Sequence, residues 1–297
     1  MKIFSVIVTY NGRKWYDKCI GSLLESSIPV TPIVVDNASS DGAVDYIRSK
    51  FPSAIVIPSN ENLGFAKANN IGIRYAIDHG ADYIFLLNQD AWVEKDTIEK
   101  LVDSFEKHEN IGIACPINLN AAKTAMDYKS VTDMPNDYLS DLYLGNARDV
   151  YDVRFFCAAS WMISADCIKK VGGFDTNLFK HYGEDNNYCQ RVLYHGMRIV
   201  VNTQCTMCHD REFRKSYESE YRNKNFKQND TSRRIEFGDI TSNINIDAFI
   251  ISTCKSIKKA YLKLKFSKVK RLKSELAFFE MVKKSRDANV KGGMVWL

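Results

Sequence analysis

Along the first 115 residues, short apolar runs of strand length alternate with stretches in which apolar side chains recur every three or four positions. The runs predict strands over Ile3–Thr9, Ile33–Val35, Ala54–Ile57, 83–87 and Ile111–Cys115, and the longer period predicts helices over Lys14–Ser26, 41–50 and 96–107. Phe65, Asn69, Ile73 and Ile77 share one helical face before Gly80 closes that element. Pro29 and Pro32 punctuate the chain ahead of the second strand. A strand–helix succession of this kind builds an α/β fold, a mainly parallel sheet flanked by helices.

The pattern changes after Pro116. Residues 118–152 are polar, rich in Tyr and Asp and weakly periodic, which predicts a long excursion beside the sheet that forms part of a substrate lid. Order returns at Phe155–Ile163, followed by predicted helices at 164–171 and 184–195, the turn Gly172-Gly173-Phe174-Asp175 between them, and a strand over Arg198–Val201. From about 246 the composition shifts again. Nine basic residues and no acidic ones lie between Lys255 and Lys273, interleaved with apolar side chains. Such a segment either lies on anionic lipid or packs on the body of the protein by its apolar side. A helical, basic C-terminal extension is therefore expected behind the α/β unit.

The remaining composition narrows the class. With 297 residues, 45% of them hydrophobic and 26% charged, the chain buries a substantial core. A formal charge of +5 is modest and does not point to nucleic acid. No run approaches the ~18 apolar residues of a spanning helix, and the first apolar run is too brief for a secretory signal. The expectation is a cytoplasmic protein, in peripheral contact at most with the inner face of a membrane. Eight scattered cysteines fit reduced thiols. Cys205-Thr206-Met207-Cys208-His209 has haem-attachment spacing, but covalent haem accompanies export, and a zinc site lacks its second Cys pair.

Two strands run directly into carboxylates: Ile33-Val34-Val35-Asp36 and Ile84-Phe85-Leu86-Leu87-Asn88-Gln89-Asp90. Ligands of open α/β sheets collect at such carboxyl ends, so Asp36 is placed to accept a base N–H and Asp90 to bind a metal. Asp also begins turns and caps helices, and that reading stays open for both. Thr9 and Asn11 end the first strand, where a hydroxyl and an amide can bond base and ribose. Gly64, in Asn60-Glu61-Asn62-Leu63-Gly64-Phe65, permits close backbone approach to a phosphate, with Asn62 otherwise a helix cap.

Together with Ser5-Val6-Ile7-Val8-Thr9-Tyr10-Asn11, Val34-Val35-Asp36-Asn37-Ala38-Ser39-Ser40-Asp41-Gly42, Val171-Gly172-Gly173-Phe174-Asp175 and Gly183-Glu184-Asp185-Asn186-Asn187-Tyr188-Cys189-Gln190-Arg191, these segments resemble the family-2 glycosyltransferases, especially rhamnosyltransferase-like members that build surface polysaccharide. The resemblance runs to about residue 225, which implies a catalytic domain, 1–225, followed by a helical, basic C-terminal extension, 226–297. It implies a GT-A (nucleotide-diphospho-sugar transferase) fold, a UDP- or dTDP-sugar donor, a divalent cofactor (Mn2+ or Mg2+), inversion at the anomeric carbon, and a saccharide or lipid-linked glycan acceptor. By family position Asp185 is the general base, with Glu184 the alternative. Thr9, Asn11, Asp36, Asn62, Gly64, Asn69, Asn88 and Asp90 are the implied donor contacts, and Trp161 and Arg222 the acceptor contacts, although an indole also anchors cores. The family commonly carries Asp-x-Asp where this chain has Asn88-Gln89-Asp90, leaving Asp90 as principal metal anchor, with His209 as a second candidate ligand. Two rivals stand beside this reading: a nucleotidyltransferase that makes nucleotide sugars, and a nucleotide-sugar-binding protein that has lost catalysis.

Overall fold

The computed structural model describes residues 1–180, 182–211 and 230–297. Nine strands form one sheet: β1 (Ile3–Thr9), β2 (Thr31–Asp36), β3 (Ile55–Pro58), β4 (Tyr83–Asn88), β5 (Ala91–Val93), β6 (Ile111–Asn120), β7 (Val150–Asp152), β8 (Ser160–Ser164) and β9 (Arg198–His209). The order is β3-β2-β1-β4-β8-β6-β9-β5, with β7 beside β9. The sheet is mixed. β3, β2, β1 and β4 are mutually parallel, whereas β8 is antiparallel to both β4 and β6, and β5 and β7 are antiparallel to β9.

Helices cover both faces because alternate residues of each strand point opposite ways. On β1, Val6 faces α3 (Gly64–Asp78) and its Ile73 and Ala76, while Ile7 belongs to the opposite core with Ile20 and Leu23 of α1 (Tyr16–Leu24). A Cβ at Gly72 would lie 2.4 Å from Val6 Cγ1, so only glycine lets α3 sit this close to β1. The second face is completed by α2 (Ala43–Lys50) and α4 (Thr97–Lys107). Successive strands step from β1 through β2 to β3 on one side, and the chain then returns to place β4 on the other side of β1. That reversal opens a crevice beyond the carboxyl ends of β1 and β4.

The polar excursion contains two short helices, α5 (Tyr128–Asp133) and α6 (Asn136–Tyr143). It is shorter than its sequence implies, because β6 continues through Pro116 to Asn120. After β8 come α7 (Ala165–Val171) and α8 (Glu184–Tyr194). The Gly172-Gly173 turn between them is a docking point. Arg191 of α8 donates from Nη1 to the Gly173 carbonyl at 2.6 Å and Tyr188 donates to that of Gly172 at 3.0 Å, while the Gly173 N–H donates to Val295 O at 2.9 Å. Gly172 has φ +88°, and a Cβ there would meet Val295 O at 2.4 Å, so glycine is required twice over.

The C-terminal part comprises helical residues 230–238 (α9), α10 (Ile246–Leu262) and α11 (Phe266–Lys291). Phe279 and Val282 of α11 join Ile246 in a small core with Leu178 and Phe179 of the loop before α8. Asn289 donates to Asp175 Oδ2 at 3.1 Å, and Asn177 to Ser285 Oγ at 2.9 Å. Much of the tail is therefore packed on the body, the second of the two alternatives its composition left open.

Candidate active site

The crevice is held in shape by side chains from three loops. Gln89 mimics a strand: its Oε1 accepts from Tyr10 N at 2.9 Å and its Nε2 donates to Tyr10 O at 3.2 Å, locking the loop after β4 to the end of β1. Asp36 closes the end of β2. Its Oδ1 accepts from Thr9 Oγ1 at 2.8 Å and Ser39 Oγ at 2.6 Å, and its Oδ2 accepts from Ser39 N at 2.9 Å. Asn11, at φ +49°, bridges to the same loop by accepting from Ser40 N at 2.8 Å. Asn37 ties this region to α3, donating to Gly64 O at 3.3 Å and accepting from Leu63 N at 3.2 Å. Gly64, at φ +77°, begins α3, and Asn62 accepts its N–H at 2.9 Å in an Asx turn that leads into the helix, with Leu63 at the N-cap position. The N-terminus of α3 thus lies at the carboxyl ends of β1 and β2.

The charged centre forms where β5 pairs with β9. Ala91 stands opposite His209, and the Asp210 N–H donates to Asp90 O at 2.9 Å, so two residues 119 positions apart become neighbours. His209 Nε2 lies 3.2 Å from Asp90 Oδ1, with the imidazole fully buried. His209 Nδ1 is 3.8 Å from Asp127 Oδ2, and Arg211 Nε is 3.6 Å from the same Asp127 oxygen and 3.3 Å from His209 Nε2. Trp15 anchors the next residue, its indole N–H donating to Asp210 Oδ2 at 2.7 Å. Asp127 and Arg211 were not singled out from sequence. Asp127 is one of several aspartates in the excursion, and nothing in the local pattern distinguishes it.

Two cis ligands of an octahedral cation with bonds of about 2.1 Å lie about 3 Å apart, which is the spacing of Asp90 Oδ1 and His209 Nε2. The pair therefore fits two positions of a divalent cation. Among the described residues no group of three or more His, Cys, Asp or Glu side chains forms a complete cage. A cation here would take its other ligands from diphosphate oxygens and water, and it would compete with the Arg211 guanidinium.

The Cys157 thiol links this centre to α8. Burial pushes it up to about 11, Arg211 opposes that shift, and Asp185, Asp133 and Asp127 reinforce it. Charge from the start of α8 and charge from the Asp127–Arg211 pair are thus both felt by one buried sulfur. At that helix start the two carboxylates differ. Asp185 is partly exposed, with Oδ1 accepting from Asn186 N at 2.8 Å. Glu184 is 7% exposed and its Oε2 has no hydrogen-bond partner. Burial first, and then the neighbouring Asp185, raise the Glu184 carboxyl to about 7.

A carboxyl raised in the folded state from 4.5 to about 7 makes the native protein bind a proton that the unfolded chain has already lost. Stability from this group is therefore fully present below about pH 4.5 and is lost as pH rises through about 7, by on the order of 3 kcal/mol. Glu184→Gln is expected to flatten that dependence and to be more stable than the parent at pH 8. Urea unfolding of both proteins at pH 5 and pH 8 checks it, and parallel curves at the two pH values would remove Glu184 as the source.

Burial corrects the expectations for Trp161 and Thr9, and the other expected contacts take the following places. Trp161, expected at the acceptor, is fully buried between Phe174 and Tyr188, its indole N–H donating to Phe156 O at 3.1 Å, because the alternation of β8 turns it into the core. Thr9 is fully buried, and its hydroxyl holds Asp36 instead of a ligand. Asp36 is itself enclosed, its carboxylate shaping the loop through Ser39. Asn69 is inward-facing and donates to Phe65 O one turn back in α3. Asn88 lies half-buried at the end of β4, its backbone N–H donating to Ala159 O. Arg222 lies outside the described residues. The haem-spaced cysteines, Cys205 and Cys208, are buried in β9 as free thiols.

Comparison with known proteins agrees with this architecture. The chain matches Glycosyl transferase family 2 over residues 5–172. It is 29% identical over 209 residues to the dTDP-rhamnosyl transferase RfbF of Shigella flexneri, covering 70% of this chain and 68% of that protein. It is 28% identical over 199 residues to the minor teichoic acid biosynthesis protein GgaB of Bacillus subtilis, covering 64% of this chain but 21% of GgaB. Among solved structures, S. aureus TarS 1–349 in complex with UDP superposes with a TM-score of 0.57 at 16% identity, covering 82% of this chain and 67% of TarS 1–349. GalNAc-T7 with UDP, GalNAc and Mn2+ also gives 0.57, at 14% identity, over 71% of this chain and 44% of that one. These structures share the GT-A fold, and the family match covers the strands that build the crevice. The chain belongs to glycosyl transferase family 2.

Proposed function

We propose that this glycosyltransferase moves a sugar, with inversion, from a UDP- or dTDP-sugar to a hydroxyl of a saccharide or lipid-linked glycan in surface polysaccharide synthesis. The proposal divides the chain at about residue 225, with the helices beyond it buttressing the loop before α8. Family membership sets aside the nucleotidyltransferase rival. The observation that carries the proposal against an inactive binding protein is the Asp90–His209 pair, whose 3.2 Å separation suits two ligands of one divalent cation.

Each side chain then has a task. The N-terminus of α3, with the close backbone at Gly64, presents N–H groups and the positive end of the helix dipole to the diphosphate. Asp90 and His209 would hold a divalent ion, Mn2+ or Mg2+, which when bound neutralises charge growing on the departing nucleotide diphosphate. Asn11 and the loop fixed by Asp36 shape the place of the base and ribose. Asp185 takes the proton of the acceptor hydroxyl as that oxygen attacks the anomeric carbon on the face opposite the leaving group. Glu184, sealed from the acceptor, sets the field beside it.

A thermal-shift series with UDP- and dTDP-sugars, each with and without Mn2+, tests the donor half of the proposal. A ligand of the native state present at a hundred times its Kd stabilises by about 2.7 kcal/mol. The expected result is a rise in Tm for a nucleotide sugar that requires the metal. No shift with any nucleotide sugar would count against a transferase of this donor class.

A further inference from the structure

α10 and α11 form an antiparallel hairpin whose root and tip differ in character. The root is tied to the body by Asn289 on Asp175 and by Asn177 on Ser285, and further bonds hold it within the extension. Arg286 donates to the Phe237 and Asp239 carbonyls, Lys283 pairs with Asp247 at 2.5 Å, and these ties reach along α11 as far as Glu275, which pairs with Arg233 at 3.3 Å. Residues 266–274 extend beyond that point by about 13 Å at 1.5 Å per residue. There the two helices hold each other through a core of their own, Ile257, Ala260, Val269 and Leu272.

The turn at the tip is closed by Leu264 at φ +53°, with Leu264 N donating to Tyr261 O and Lys265 N to Ala260 O. This turn presents Leu262, Leu264 and Phe266 outward, 86%, 73% and 64% exposed. Three large apolar side chains within five residues stand clear of any core. Around them all nine basic residues from Lys255 to Lys273 are exposed, and no acidic residue occurs between Asp247 and Glu275. An apolar wedge inside a single-sign basic collar complements one surface chemistry, an anionic bilayer. Leucine and phenylalanine enter the headgroup–acyl boundary, and each lysine or arginine near the surface adds about 1 kcal/mol of attraction. A second copy of the same tip would bring nine positive charges against nine.

We propose that this tip docks the protein on anionic lipid, with Leu262, Leu264 and Phe266 inserted and the flanking lysines bound to headgroup phosphates. The advantage of such docking rests on the proposed lipid-linked acceptor, but the docking itself is measurable without any transfer reaction. Truncating the tail would strip α11 from the body, so point variants of the full chain are the proper test. The parent is expected to sediment with phosphatidylcholine vesicles containing phosphatidylglycerol, not with phosphatidylcholine alone, and to be released by salt. Leu264→Ser with Phe266→Ser should weaken partitioning by about tenfold or more per residue, since each exchange removes an apolar side chain from the headgroup–acyl boundary. Lys263→Gln, Lys265→Gln and Lys268→Gln together should remove the preference for phosphatidylglycerol. Circular dichroism and transfer to a soluble saccharide should match the parent in both sets, because these side chains are exposed and remote from the crevice. Unchanged sedimentation in both sets, equal binding to neutral vesicles, or a tip-dependent dimer in light scattering would overturn the proposal. Absent transfer by the parent with normal vesicle binding would instead count against the acceptor assignment.

Discussion

Asp185→Asn is expected to reduce sugar transfer by about a hundredfold or more while leaving donor affinity near that of the parent. Asparagine retains the size of the side chain and an oxygen that can accept the Asn186 N–H seen at 2.8 Å. What it loses is basicity, needed only when the acceptor hydroxyl is deprotonated. The neighbouring carboxylate sharpens the test. Glu184, raised to about 7, is matched to proton transfer near neutrality, but at 7% exposure it is closed to a glycan hydroxyl. Accessibility and proton affinity therefore favour different residues. Accessibility decides here, because a base must come within hydrogen-bond reach of the proton it takes. Glu184→Gln should be much the milder variant. Rates for both variants with a saccharide acceptor, beside calorimetry with donor alone, separate the cases. Near-parent transfer by Asp185→Asn with collapse in Glu184→Gln would move the base to Glu184, and activity in both would remove the pair from the mechanism.

The elements legible from sequence are those whose burial follows one period for many residues. β1 matches its predicted span because it is buried on both faces for almost its whole length, and α3 has the expected apolar face ending before Gly80 because it packs on the sheet. β9 was read as four residues and has twelve. Its second half carries Asn202, Thr203, Gln204 and Thr206, and its pairing with β6 jumps from Pro116↔Asn202 to Ile117↔Thr206, so no steady alternation marks it. β6 was ended at Cys115 because proline usually leaves a sheet, yet Pro116 sits at that irregularity and the strand continues. Missing these two extensions concealed how the site is made. Asp90 was legible as a strand-end carboxylate and His209 as a candidate ligand, but the β5–β9 pairing that joins them is non-local, and Asp127 enters only because the excursion folds back over His209. Trp161 and Thr9 were misplaced for the opposite reason: polar or aromatic types were assigned to a ligand where the pleat turned them inward. Of the tail's two alternatives, packing on the body describes its root, and the exposed basic tip is the part on which the proposed lipid docking rests.

Asp90→Ala should abolish most Mn2+-dependent binding of UDP or dTDP, a loss of about a hundredfold or more if the carboxylate supplies the main protein charge at the cation. The end of β4 carries no second carboxylate to compensate, because Asn88 stands where the family commonly places one. His209 alone offers a nitrogen ligand, and the Arg211 guanidinium, 3.3 Å from that nitrogen and paired with Asp127 at 3.6 Å, still stands against a cation there. The fold should survive. Asp90 sits at the bend between β4 and β5, where its backbone carbonyl keeps its bond to Asp210 N, and the lost contact to His209 is worth about 1–3 kcal/mol. Calorimetry of UDP and dTDP with and without Mn2+, together with the far-ultraviolet spectrum of the variant, distinguishes lost metal binding from lost structure. His209→Ala serves as the companion and should lose less, since it removes a neutral ligand. Mn2+-dependent affinity equal to the parent's in the folded Asp90→Ala variant would place the cation elsewhere, and equal affinity with and without Mn2+ in the parent would mean that Arg211 and the N-terminus of α3 carry the diphosphate unaided.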